Sequence, residues 1–228
     1  MNPDILATME LFVGLESPAL GDVVASARLR PLPRDARIFE QGDPAERVHA
    51  LVEGGVRITQ SGRDGGEAVM RFIGPGEMFG TVALFTDRLY PAEAVTLDDS
   101  LEISWSEADL HALIGRHPRI AINLLGIVGR RLAEAQDRIR ELSTQRVERR
   151  IAHALLRLAD QAGQDGARGT TIPFPLTRKD LAAITGTTLH TASRILTAWE
   201  KAGIVATDRQ HVTLRQPGEV QRIADEEG

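Results

Sequence analysis

The residues Ala121, Leu125, Val128, Leu132, Ala135, Ile139 and Leu142 recur in alternating steps of four and three. This is the a/d spacing of a heptad repeat, sustained for about three heptads. Arg130, Arg131, Glu134, Asp137, Arg138, Arg140 and Glu141 fall between the seam positions. Pro118 suits the first turn of such a helix, where its missing N–H costs little. A helix lying on its own domain needs a wider apolar stripe than strict a/d. The narrow seam therefore predicts a dimer-forming coiled coil, with Leu125, Val128, Leu132, Ala135, Ile139 and Leu142 between two copies. The chain divides around it into residues 1–117, 118–145 and 146–228.

The first segment alternates short β-like runs with glycine punctuation from about Leu29 to Ser106. Ile38-Phe39, Val48–Val52, Val56–Thr59, Ala68–Ile73 and Ala94–Ile103 are each bounded by turn residues, as in an antiparallel sandwich or barrel. Pro18–Ala27 reads as a short helix packed on that barrel. Within the segment, GPGEMFGTVALFTDRLYPAEAV (residues 74–95) has glycines at tight spacing, a short apolar run and a loop returning to a strand. Loops of this kind cradle anions with backbone N–H groups. A tight phosphate site usually adds a fork-shaped cation. Here the one arginine, Arg88, comes early in the loop, which ends in Tyr90-Pro91-Ala92.

After residue 146 the pattern is helical, with an apolar face at Ile151, Leu155, Leu158 and Ala159 and a flexible loop over residues 163–169. Thr177 and Asp180 resemble a capping box. The helix they open stops at Thr185-Gly186, and Thr188 caps a second helix running to Lys201-Ala202-Gly203. Two short helices joined by a glycine turn form a helix-turn-helix. Residues 204–214 read as a hairpin, which makes it a winged one. The second helix buries Ala192, Ile195, Leu196 and Trp199. Outward, Arg194 suits a guanine or a phosphate, Ser193 a phosphate, His190 a purine edge and Leu189 a thymine methyl. With Arg178, Thr188 and Thr191 these residues make up the DNA-facing set. The net charge of the 228 residues is −5. Between Arg178 and Arg215, however, Arg178, Lys179, Arg194, Lys201, Arg209 and Arg215 outnumber Asp180, Glu200 and Asp208. A phosphate-tracking module needs such a local excess.

The chain has no cysteine, which excludes disulfides, cysteine-ligated zinc and iron–sulfur clusters. The N-terminus lacks a signal-peptide pattern, and no apolar run approaches the roughly 20 residues that span a bilayer. A cytoplasmic protein without membrane partners is expected. No nucleophile–base motif, Walker loop or HExxH sequence points to an enzyme.

The order of α+β elements is an N-terminal antiparallel β-barrel (a cyclic-nucleotide-binding-like jelly roll), a long dimerisation helix and a C-terminal winged helix-turn-helix. With three local motifs, it resembles bacterial transcription regulators of the catabolite-activator and fumarate–nitrate-regulator (CRP/FNR) superfamily. The motifs are Phe39-Glu40-Gln41-Gly42-Asp43-Pro44-Ala45-Glu46, Gly76-Glu77-Met78-Phe79-Gly80, and Leu176–Ala182 leading to Thr191-Ala192-Ser193-Arg194-Ile195-Leu196. The resemblance covers nearly the whole chain. It implies a homodimer on double-stranded DNA with a two-fold-related operator, RNA polymerase as a partner, and a barrel that senses a signal at Gly76, Glu77, Gly80, Thr81, Tyr90, Pro91 and Ala92.

Members that bind cyclic AMP carry a Gly-Glu pair and an Arg-Ser pair where this chain has Gly80-Thr81 and Pro91-Ala92. A charged hydrogen bond is worth roughly 1.5–3 kcal/mol, so losing the phosphate clamp argues against cyclic AMP. His190 stands where the superfamily usually has Glu, implying a different half-site. Residues 188–194 with Tyr90-Pro91-Ala92 look most like the nitric-oxide-responsive denitrification regulators, which implies nitric oxide sensed through haem. His49, His111 and His117 are candidate haem ligands, and Tyr90 is the expected wall of the sensory site. The competing readings are a regulator of the same superfamily that binds a cyclic nucleotide or works independently of one, and a regulatory module of a partner enzyme.

Overall fold

The computed structural model describes residues 3–62, 67–208 and 210–226, so Arg209 lies outside the described residues. They form two compact units, one of residues 1–61 and 72–135, the other of residues 62–71 and 136–228.

The first unit opens with helices α1 (Pro3–Thr8) and α2 (Ser17–Ala25). Strands β1 (Arg28–Leu32), β2 (Arg37–Phe39), β3 (Arg47–Glu53), β4 (Val56–Ser61), β5 (Glu67–Ile73, of which only Phe72 and Ile73 belong to this unit), β6 (Met78–Phe79), β7 (Glu93–Thr96) and β8 (Ser100–Ser106) follow. They hydrogen-bond as two four-stranded sheets, β1-β8-β3-β6 and β2-β7-β4-β5, rather than as the closed ring expected of a barrel. The expected single run over residues 94–103 is two strands. Between them, Asp98 Oδ1 accepts from Gly55 N at 2.7 Å and Asp99 Oδ1 from Arg34 N at 3.0 Å, which fixes a turn there. In β3, Val48 and Ala50 face one way and His49 and Leu51 the other, and all four are buried. The register pairs Val48 with Trp105 and His49 with Ser104. Trp105 meets Phe12 edge-on at 5.0 Å and donates its indole N–H to Val23 O at 2.9 Å. That bond satisfies the one polar atom of a fully buried side chain. Helix α3 (Glu107–Arg116), which precedes the expected dimerisation helix, is capped by Ser106 Oγ, accepting from Asp109 N at 3.1 Å.

Helix α4 (Arg119–Thr144) is one continuous element. Its first turns bury Ile120, Leu124 and Ile127 in the core of the first unit. The seam residues lie on another stripe and face solvent in the single chain: Leu125 is 72% exposed, Leu132 59% and Ile139 66%. The helix thus carries both an own-domain stripe and an uncovered heptad seam.

In the second unit, α5 (Val147–Ala162) buries Ile151, Leu155 and Leu158. The expected loop over residues 163–169 is instead a hairpin of β9 (Gln164–Gly166) and β10 (Gly169–Thr171). Gly169 makes the return possible, since its φ is +114° and a Cβ there would lie 2.1 Å from Leu214 O. Helix-turn-helix elements α6 (Arg178–Ile184) and α7 (Leu189–Lys201) come next. The wing strands β11 (Val205–Asp208) and β12 (His211–Leu214) follow, and α8 (Pro217–Asp225) closes the chain. The wing sheet has the order β11-β12-β10-β9. Among the described residues no helix is long and apolar enough to cross a membrane.

Candidate functional site

Helix α6 begins with the expected capping box: Thr177 Oγ1 accepts from Asp180 N at 3.1 Å, and Asp180 Oδ2 accepts from Thr177 N at 3.0 Å. Helix α7 is capped by Thr188 Oγ1, which accepts from Thr191 N at 3.2 Å, and the two hydroxyls also pair. The buried face of α7 is Ala192, Ile195, Leu196 and Trp199, as its spacing predicts. Trp199 Nε1 is anchored on Glu148 at 3.0 Å. This packing fixes the rotation of α7 and turns His190, Ser193, Arg194, Thr197 and Lys201 around a shallow open depression. Leu189 is exposed beside it. Arg194 is exposed and has no intramolecular partner among the described residues. A row of short polar side chains around a free guanidinium, at the capped start of a helix, can meet base edges and phosphates together.

Arg178 is placed differently from the rest of the predicted set. Its guanidinium lies along α7, donating to Thr197 Oγ1 at 3.0 Å, to Ser193 O at 3.3 Å and to Glu200 Oε2 at 3.1 Å. It holds α6 against α7.

The predicted sensory residues fall into two groups. Gly76, at φ +87°, and Glu77, whose carboxylate accepts from Gly74 N at 2.7 Å, close the turn before β6. Thr81 and Ala92 are buried, while Pro91 is exposed. Arg88, the one arginine of the loop, pairs with Glu107 of α3. No cation from residues 74–95 is therefore turned to Thr81 or Ala92, where a cyclic phosphodiester would need one.

Tyr90 and Gly80 belong to a buried polar network. Tyr90 stacks on Phe39, with ring centroids 3.8 Å apart, and packs near His49. His49 is 4% exposed and its Nδ1 donates to Glu102, which is 1% exposed and also takes Arg30 Nε at 2.7 Å. His49 Nε2 lies 3.0 Å from the Tyr90 hydroxyl, whose one proton is shared between that nitrogen and the Arg47 carbonyl oxygen 2.8 Å away. A Cβ on Gly80 would sit 3.0 Å from His49 Cδ2 and 3.1 Å from Tyr90 Cε1, and the residue has φ +70°. Glycine is what lets the cassette lie on this network. Burial pushes the His49 imidazole below its ordinary value, with Glu102 opposing. Burial also works to raise Glu102, but His49 and Arg30 outweigh it and hold the carboxyl low. Sequence reasoning did not find this network. The available signal was a carboxylate inside the apolar run Leu101-Glu102-Ile103, 53 residues along the chain from a lone strand histidine.

The network tests the haem expectation. Both ring nitrogens of His49 are engaged, and His117 Nε2 is held 2.9 Å from Asp22 Oδ2. His111 is an exposed residue of α3. The cleft outside Tyr90 and His49 measures about 200 Å3 and is bordered by Arg28, Arg30, Arg47, Asp43 and Glu46. An axial haem ligand needs a free donor nitrogen beside an apolar plate. His49, with both nitrogens engaged, does not fit that role.

Comparison with known proteins agrees with this geometry. Residues 29–117 match the cyclic nucleotide-binding domain family, and residues 149–223 match the Crp-like helix-turn-helix domain family. The chain is 32% identical over 214 residues to the cyclic AMP receptor protein of Thermus thermophilus, covering 94% of this chain and 96% of that one. It is 29% identical over 192 residues to the nitrogen fixation regulation protein FixK of Azorhizobium caulinodans, covering 83% and 76%. The fold is similar to the solved structure of FixK2 from Bradyrhizobium japonicum, with a TM-score of 0.77 at 24% identity over 89% of this chain and 99% of that one.

The buried pair makes stability depend on pH. Each group has its value depressed on folding, so each contributes stability at neutral pH that is lost as pH falls. The unfolded imidazole takes up a proton below about 6.5 that folded His49 resists, and Glu102 follows below its ordinary 4.5. The urea midpoint of the first unit should therefore fall from pH 7 to pH 5. The fall should be shallower in His49→Gln, and an equal slope in both proteins contradicts this assignment.

Proposed function

The chain belongs to the CRP/FNR family of DNA-binding transcription regulators, and on that premise we propose that it works as a homodimer that reads a two-fold-related operator under the control of a small molecule. The reading rests on one observation, the free Arg194 guanidinium among His190, Ser193 and Thr197 on the outer face of α7. Like its relatives, the chain is a regulator rather than an enzyme. Dimerisation is supported by the solvent-facing seam Leu125, Val128, Leu132, Ile139 and Leu142 on α4. Burying a Leu, Ile or Val side chain is worth roughly 1.5–3 kcal/mol, so a second copy of the same helix gains several such terms. Two recognition helices then face successive major grooves, and RNA polymerase is the partner such a regulator addresses.

For the DNA contact, Arg194 acts as a fork on a guanine or a phosphate, Ser193 as a phosphate donor, and His190 as a reader of a purine edge. A good bidentate pair discriminates by about 1–3 kcal/mol. Arg194→Ala should weaken binding to a site selected by the parent protein about tenfold or more in a gel shift. An unchanged shift would remove α7 from the interface.

For the signal, the resemblance of the cassette and α7 to nitric-oxide-responsive regulators supports nitric oxide, but His49 does not fit as a haem ligand. The signal we propose is a small molecule seated at Gly80, Thr81 and Ala92 without a phosphate clamp. A cyclic-nucleotide ligand is the second reading, favoured by the likeness to the Thermus cyclic AMP receptor protein. Calorimetric titration with cyclic AMP should give no heat at micromolar concentrations, and added haem should give no Soret shift with nitric oxide. Tight cyclic AMP binding establishes the second reading, and a nitric-oxide-responsive Soret band restores haem.

A further inference from the structure

The C-terminal carbonyls of a helix lack intrahelical partners, and in α6 they lead straight into the turn that aims α7. Ile184 O, Thr185 O and Gly186 O are each taken by an arginine from elsewhere in the second unit. Arg138 Nη2 of α4 donates to Ile184 O at 2.6 Å. Arg150 of α5 donates through Nε to Thr185 O at 2.8 Å and through Nη2 to Gly186 O at 3.3 Å. Arg150 Nη1 also binds Gln145 O at 2.9 Å, in the joint between α4 and α5. The turn touches α4 through apolar atoms as well. Gly186 has φ +60°, and a Cβ on it would lie 2.7 Å from Leu142 Cδ2.

Arg138 is the most heavily used of these groups. Besides Ile184 O it donates to Val69 O at 2.9 Å and Met70 O at 2.8 Å, both within the same compact unit. Three carbonyls on one planar fork fix its position, which a lysine ammonium on a flexible stem does not reproduce. Beside it, Glu141 is buried and pairs with Arg157 at 2.6 Å. Arg138 and Leu142 are four residues apart on α4, so both lie on one side of the helix that carries the seam.

We infer that Arg138, with Leu142 beneath Gly186, is a positioning residue that locks the α6–α7 turn to the dimer helix and so sets the separation of the two recognition helices. It touches no base. It acts through the turn. The inference rests on the dimeric DNA-binding reading only for its consequence on half-site spacing; the joint itself is a matter within one chain.

Two measurements on the full chain test it. The sequence has no cysteine, so Arg140→Cys with Lys201→Cys gives one spin label on α4 and one on α7. In samples diluted with unlabelled protein, their distance distribution should be narrow with Arg138 present and broad or displaced in Arg138→Gln. An equally narrow, unshifted distribution overturns the joint whether or not the protein binds DNA. In the second arm, a site is selected from random DNA by the parent protein, and one base pair is inserted between its half-sites. The parent should lose about tenfold in affinity, since half-site spacing mirrors dimer geometry. Arg138→Gln should discriminate the two spacings by less than about threefold while keeping the parent's affinity for unselected DNA and its salt dependence. Full discrimination by Arg138→Gln overturns the proposal. Failure of the parent to select any site overturns the DNA-binding reading, and the label distances still decide on the joint.

Discussion

The seam on α4 is the constraint from which the rest of the molecule follows. Leu125, Leu132 and Ile139 face water in one chain, while Ile120, Leu124 and Ile127 of the same helix are locked into the first unit. A helix held firmly along one stripe presents the other in a fixed direction, with little freedom left to lose when a partner covers it. The same helix ends in Arg138 and Leu142, which hold the turn before α7.

The cassette is shaped by a different force. Residues 74–95 have the glycine spacing of a phosphate cradle, but their one arginine is spent on Glu107. What lies behind Gly80 is the ring stack of Phe39, Tyr90 and His49, with Glu102 and Arg30 completing the hydrogen bonds. A buried carboxylate and imidazole are tolerable only when each polar atom is matched. This network therefore fixes the cassette's floor.

Much of this was legible in the residues, and the parts that were not share a cause. The face of α7, its Thr188 cap and the Thr177–Asp180 box came directly from local spacing, because short-range hydrogen bonds and a 3.6-residue period decide them. The α4 seam was legible for the same reason, while its second stripe, Ile120, Leu124 and Ile127, lies in the uncharged run 120–129, where two apolar stripes overlap in the pattern. Helices α1, α3 and α8 and the β9–β10 hairpin were not foreseen. They are short, and tertiary packing rather than propensity holds them: Leu6 and Leu110 are fully buried, and Gly169 fits only because Leu214 O crowds it. The pairing of His49 with Glu102 and of Arg138 with Ile184 spans long stretches of chain, so neither residue's neighbours in sequence announce it. Arg178 reads as a DNA-facing cation from its position at the start of α6, yet Glu200 and Thr197 draw it inward.

The central claim is that the α4 seam is the contact between two copies. Sedimentation equilibrium of the parent protein and of Leu132→Asp measures it directly. The account predicts twice the mass of one chain for the parent and a single chain for the variant, with the helical circular dichroism of both alike. A monomeric parent, or a variant that sediments as an undiminished dimer, would contradict it.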